Sequence, residues 1–164
     1  SIEKLFFEDA DTKSVPHKHK TLTNILNKFP RTKNYFKFTF VRNPWDRAVS
    51  QFAYMQQRPD LMEFLGMNLD TEFKSYLELI CLKKHVQWTP QVHFFLDQDG
   101  SVLVDRIGRL EAFNQDSSEI FEDLGLNSNI LPIHTNRSKR KYSFYIYSFA
   151  HICRQSSIKK CYLL

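Results

Sequence analysis

The chain has 164 residues, of which 42% are hydrophobic and 15% aromatic, and a formal net charge of +5. That length suits a single domain over residues 1–164 with a real core, and the apolar content argues against a disordered chain. No run approaches about 18 consecutive apolar residues, so no membrane-spanning helix is expected.

In chain order, the opening SIEKLFFEDADTK is acidic and lacks a long apolar run, so no signal peptide is expected. A start on Ser1 rather than methionine points to a fragment or a processed product. Leu22, Ile25, Leu26 and Phe29 recur at helical spacing, which predicts an amphipathic helix over 21–28 capped near Thr21. Phe29-Pro30-Arg31 ends it, because the residue before proline is pushed out of the helical region. The next stretch, YFKFTFVRNPWDRAVSQFAY (35–54), begins as a strand in which Phe36, Phe38 and Phe40 alternate with Lys37, Thr39 and Val41. It turns at Arg42 and continues as a helix, with Asn43 as cap, Pro44 at the first helical position and Asp46 in the first turn. Pro59 is expected to stop that helix, with residues 58–69 irregular. Asp70 is a predicted cap for a helix whose inner face is Phe73, Tyr76, Leu77 and Ile80. Residues 85–95, with Pro90, read as loop leading to a short extended piece. Asp97-Gln98-Asp99-Gly100 predicts a turn, and 101–107 a second strand. A helix over roughly 113–124 follows, with Gly125 as its left-handed stop. Strands alternating with helices indicate an α/β layer with parallel strands.

Charge and cysteines narrow the chemistry. Arg137 to Leu164 carries seven Lys/Arg and no carboxylate side chain, while the remainder holds 16 basic and 18 acidic residues. The basic excess belongs to one end, which suits a phosphate, a sulfated polysaccharide, RNA or an anionic surface, or a solvated tail. Cys81, Cys153 and Cys161 form no metal-ligand or redox pattern. Cys81 reads as a buried small hydrophobe. Cys153 and Cys161 pair only if the C-terminal segment folds compactly in an oxidising compartment.

A strand whose carboxyl end feeds a helix start is where α/β proteins bind phosphate groups. Arg42 offers a planar fork of donors for an anion there, and Ser50 a hydroxyl two turns into the helix. His19 precedes a helix start and is a candidate proton acceptor near neutral pH, with His17 the alternative. The two histidines also make a metal half-site without a third ligand. No metal is expected.

FKFTFVRNPWDRAVSQFAY resembles the 3′-phosphate-binding segment of the sulfotransferases that use 3′-phosphoadenosine 5′-phosphosulfate (PAPS). The nearest likeness is to the carbohydrate branch and its bacterial relatives. HKTLTNILNKF resembles the family's His-led helix, WTPQVHFFLDQDGSVLVDRIGRLEAF its Pro-Gln turn, D-x-D-G turn and G-R-[FL]-E element, and LPIHTNRSKRKYSFYIY its basic C-terminal segment. The likeness covers about residues 16–147, with 148–164 divergent. It implies an α/β, P-loop-like parallel sheet flanked by helices, the sulfotransferase fold, incomplete at the N-terminus. It also implies sulfuryl transfer from PAPS to a hydroxyl, on a carbohydrate acceptor. Arg42 and Ser50 would hold the 3′-phosphate, Arg137, Lys139, Arg140 and Lys141 would neutralise the cofactor, and His19 would act as general base. Glu111 is a supporting hydrogen-bond acceptor or a first-turn helix carboxylate, and Trp45 packs in the core or against the nucleotide edge. No nucleic-acid partner is expected on this reading. The compartment follows the source: cytoplasm for a bacterial chain, the Golgi lumen with a membrane-anchored parent for a eukaryotic one.

Two departures stand against the family pattern. The Lys-x-Gly-[Thr/Ser]-like loop that cradles the 5′-phosphosulfate is missing, since the four glycines are Gly66, Gly100, Gly108 and Gly125. The lysine that stabilises charge on the transferred group goes with it. The end SFAHICRQSSIKKCYLL lacks the expected acidic, tyrosine-rich helix. The chain is therefore read as N-terminally truncated, the 3′-phosphate half of the donor site, with its own activity open. The alternative is a non-catalytic basic module that binds a polyanion. A P-loop kinase relative is disfavoured because no G-x-x-x-x-G-K-[ST] occurs.

Overall fold

The computed structural model describes residues 19–126, which form two compact units. The basic segment with Arg137, Lys139, Arg140 and Lys141, and His17, Cys153 and Cys161, lie outside the described residues.

The first unit holds residues 19–41 and 91–126. Helix α1, Leu22–Lys28, is capped by Thr21, whose hydroxyl accepts from Asn24 N at 3.3 Å. Phe29, just before Pro30, leaves the helical region at φ −127° and ψ 75°, as proline's ring demands of its predecessor. Strand β1, Phe38–Val41, pairs in parallel with β2, Arg106–Arg109, in the register Phe38–Arg106 to Val41–Arg109. The expected parallel strands are thus present. Both are shorter than the alternation suggested, and β2 begins later than residue 101. Residues 96–102 instead form a tight reversal, with Leu96 and Val102 in one antiparallel bridge and Gly100 at φ 86°. The parallel ladder starts only where Asp105 accepts from Lys37 N at 2.7 Å and returns its own N–H to Lys37 O.

Helix α5, Phe113–Asp123, packs on β2, and Gly125 at φ 67° stops it as predicted. Asp116 is the link. Its Oδ2 accepts from Arg109 N at 2.6 Å and Nε at 3.2 Å, and its Oδ1 from Nη2 at 3.4 Å. The Arg109 guanidinium and then the Arg109 amide hold this buried carboxyl below the usual carboxylate range. Phe40 of β1 meets Phe113 at 4.8 Å between ring centroids. Ile120 and Phe121 fill the interior of this unit.

The second unit, described over residues 42–90, is helical. Helix α2, Pro44–Met55, buries Ala48, Val49, Phe52 and Met55. Helix α4, Phe73–Leu82, buries Phe73, Tyr76, Leu77 and Ile80, the predicted inner face. The two meet through aromatic rings, Phe52 lying 5.4 Å from Phe73 and 5.2 Å from Tyr76. Each such buried side chain contributes about 1.5–3 kcal/mol relative to an exposed one. Trp45 and Cys81 pack against the same core, as their sequence positions suggested.

Three expectations are corrected here. Residues 58–69 are not irregular, because Pro59–Leu65 forms helix α3. Pro59 starts that helix at its first position rather than stopping α2, which ends at Met55. Leu61 and Leu65, four apart, supply the buried stripe, and Gly66 at φ 77° closes it. Asp70 does not cap α4; Glu72 precedes it, without a side-chain cap bond. Asn68 organises this turn instead, accepting from Asp70 N at 3.0 Å and from the Thr71 hydroxyl at 3.1 Å. Residues 85–90 are more ordered than a loop. His85 Nδ1 accepts from Gln87 N at 3.2 Å to start a 3₁₀ turn over Val86–Trp88, and Trp88 is buried. In the first unit, Gln91–Phe94 forms a further 3₁₀ turn.

Candidate functional site

The second unit opens on Arg42. Asn43 caps α2, its Oδ1 accepting from Trp45 N at 2.9 Å and Asp46 N at 3.4 Å. Arg42 Nε donates to Asp46 Oδ2 at 2.5 Å. The two side chains are only 15% and 23% exposed. Asp46, Ser50 and Tyr54 recur at i, i+4 and i+8, so they share one face of the helix. Ser50, half-buried, thus lies one turn along from the carboxylate that holds Arg42.

This geometry changes the nature of the helix start. The amides of Trp45 and Asp46 already serve Asn43, so α2 is not an open backbone cradle. An anion here is a matter for side chains: the Arg42 guanidinium, whose donor fork Asp46 engages at Nε, and the Ser50 hydroxyl. That donor set fits a phosphate. The glycine-bearing loop for a phosphosulfate has no counterpart among the described residues, since each glycine has another position. Gly66 closes α3, Gly100 turns the reversal, Gly108 lies in β2 and Gly125 ends α5.

A second arginine on α2 does a different job. Arg47 Nη1 donates to Thr89 O at 2.9 Å and Nη2 to Gln87 O at 3.0 Å. Gln51, one turn on, donates to Gln87 Oε1 at 3.3 Å. Together they clamp residues 87–89 to the helix. The sequence alone assigns Arg47 no partner and places Asp46 only in the first turn of the helix. The i,i+4 spacing of Arg42 and Asp46 was a usable signal for that pair; nothing in sequence spacing pointed from Arg47 to carbonyls 40 and 42 residues on.

The other predicted residues are placed as follows. His19 belongs to the first unit, is exposed, and adopts φ 66°, an uncommon conformation for a non-glycine residue. It sits two residues before the cap of α1 rather than directly at the helix start. Glu111 is exposed in a 3₁₀ turn over Leu110–Ala112, just ahead of α5. An open cavity of about 480 Å³ in the second unit is lined by Asn68, Asp70, Thr71, Glu72, Ser75 and Leu82, among others, and by neither Arg42 nor Ser50. Among the described residues, no cluster of His, Cys, Asp and Glu is placed to hold a metal, and no helix is long and apolar enough to cross a membrane.

A parallel strand pair with a helix packed on it, alternating along the chain with further helices, defines an α/β protein. The chain matches the sequence model of the Sulfotransferase family over residues 3–151, and it belongs to that family. Sulfuryl transfer is therefore its class of chemistry. No curated protein and no solved structure matches it.

Proposed function

We propose that Arg42 and Ser50 hold the 3′-phosphate of PAPS, for sulfuryl transfer to a hydroxyl on a carbohydrate. The observation that carries this reading is the Arg42–Asp46 pair at the capped start of α2, with Ser50 on the Asp46 face, in a sulfotransferase-family chain. When bound, PAPS supplies the activated sulfuryl group. The chain's own residues bind and orient: Arg42 through charge-assisted hydrogen bonds, Ser50 through a neutral one. The Arg47 and Gln51 clamp keeps residues 87–89 in place beside that helix face. His19 takes the acceptor hydroxyl's proton, and Arg137, Lys139 and Arg140 neutralise the nucleotide.

Calorimetric titration with adenosine 3′,5′-bisphosphate tests the site. The wild-type chain binds it, Arg42→Ala abolishes binding, and adenosine 5′-monophosphate, lacking the 3′-phosphate, binds more weakly. Absence of binding to folded wild-type protein refutes the nucleotide site. The basic run from Arg137 to Leu164 favours a second reading, a polyanion-binding module. Binding on that reading falls steeply with salt and ignores Arg42→Ala.

A further inference from the structure

We infer that Asp46 is a positioning residue, which fixes the Arg42 guanidinium so that its fork is presented to the anion; this rests on the nucleotide site proposed above. An ordinary i,i+4 ion pair on a helix is exposed, adds only a few tenths of a kcal/mol, and works best with the acidic partner N-terminal. The Arg42–Asp46 pair differs in exposure and in order. The basic residue is N-terminal, it precedes the cap, and its side chain is only 15% exposed. A guanidinium at that end faces the positive pole of the helix dipole, so withdrawal from water is doubly unfavourable there without a negative partner. Asp46 provides that partner through one oxygen on Nε. A guanidinium binds an oxyanion bidentately along one edge, and contact at Nε fixes which way the Nη1/Nη2 edge points. The cap geometry makes this orientation matter, because Asn43 engages the helix amides at Trp45 and Asp46. Arg42 orientation therefore replaces the backbone cradle as the source of preorganisation.

Asp46 also carries a negative charge near the proposed anion, and removing it raises phosphate affinity regardless of orientation. The test must cancel that effect. Asp46→Asn and Asp46→Ala lose the same charge, but only asparagine keeps an oxygen in place to accept from Nε. Both full-length variants are titrated calorimetrically with adenosine 3′,5′-bisphosphate and with adenosine 5′-monophosphate. The alanine variant binds the bisphosphate roughly two- to twelvefold more weakly than the asparagine variant, the range for ordering one long side chain. The two variants bind the monophosphate equally. Equal bisphosphate affinity in the two variants overturns the inference while leaving the site standing. A wild type that does not prefer the bisphosphate removes the site and the inference together. For a readout independent of the variants' folding, the ¹⁵N side-chain spectrum of wild type is recorded, with Arg42 assigned by its loss in Arg42→Lys. A slowly exchanging Nε–H supports the hold by Asp46; exchange as fast as in free arginine overturns it.

Discussion

Gly108 sits in β2 directly opposite Phe40 of β1, and the match is close enough to test the strand pairing. A Cβ at residue 108 would lie 2.5 Å from Cε1, 2.8 Å from Cδ1 and 3.1 Å from Cζ of Phe40. Carbon atoms pack comfortably at about 3.5–4.0 Å, so the ring must retreat by about 1 Å. It has little room, since the Phe113 ring lies 4.8 Å away on one side and Phe38 stands edge-on at 6.4 Å. Overpacking of this kind costs about 1–3 kcal/mol, and the reduced freedom of the unfolded alanine chain returns about 0.4–1 kcal/mol. Gly108→Ala should therefore destabilise by about 1–2 kcal/mol. In a chain of this size each kcal/mol moves Tm by about 2–4 °C, so calorimetry or thermal circular dichroism should show a fall of about 2–8 °C. Phe40→Leu opens the space, so in that background Gly108→Ala should cost at least about 0.5 kcal/mol less than in wild type, the coupling expected of contacting residues in a double-mutant cycle. An unchanged or higher Tm for Gly108→Ala would refute the register and the packing derived from it.

Other outcomes follow from the same contacts. Arg47→Ala removes two charge-assisted bonds to Gln87 and Thr89 carbonyls, so amide exchange over residues 87–89 should accelerate by at least tenfold, consistent with about 1.5–3 kcal/mol for one such bond; unchanged protection would sink the clamp. Asn43→Ala strips the cap of α2 and should cost about 1 kcal/mol in urea unfolding, with Asn43→Ser recovering most of it. Asp105, Asp116 and Asp123 titrate below their unfolded values because Lys37, Arg109 and Arg106 hydrogen-bond the ionised forms. Their contribution is complete above the unfolded carboxylate pKa of about 4 and is lost as pH falls through the lower folded values. Tm should thus hold from neutral to about pH 5 and drop below about pH 4, with a smaller drop in Asp116→Asn; an equal drop in both proteins would contradict the role given to Asp116.

Much of the local structure was legible because its causes are local. Thr21, Asn43 and Gly125 act within a few residues of themselves, and the inner faces of α2 and α4 follow from spacing alone. Pro59 was misread because proline ends one helix and begins another by the same chemistry, and only the buried pair Leu61 and Leu65 decides which. The start of β2 was misplaced because Val102 and Ile107 look equally fit for a strand. Lys37, nearly 70 residues away, selects the ladder by bonding Asp105 and Arg106. The site divides the same way. Arg42 and Ser50 are proposed from R-N-P-W-D-R-A-V-S, whereas the Arg47 contacts depend on backbone carbonyls, which carry no sequence signal.

The way α2 begins bears on which part of a nucleotide it could serve. Backbone amides converging on an oxyanion are rigid and uncharged, and they stabilise charge that develops during reaction. At α2 those amides are engaged by Asn43, and what remains is an arginine held by a carboxylate and a serine one turn beyond. Such a set binds and orients a fixed charge well, but the nearby carboxylate opposes any further build-up of negative charge. A phosphate that anchors the donor without reacting suits it; a group leaving with a growing charge does not. The four glycines support the same division, each committed to a turn, a cap or a close strand contact, and none forming a loop at a strand-to-helix junction. On the function proposed above, Arg42 and Ser50 would serve the anchoring half of a donor site, and activation of a sulfuryl group would call for different residues.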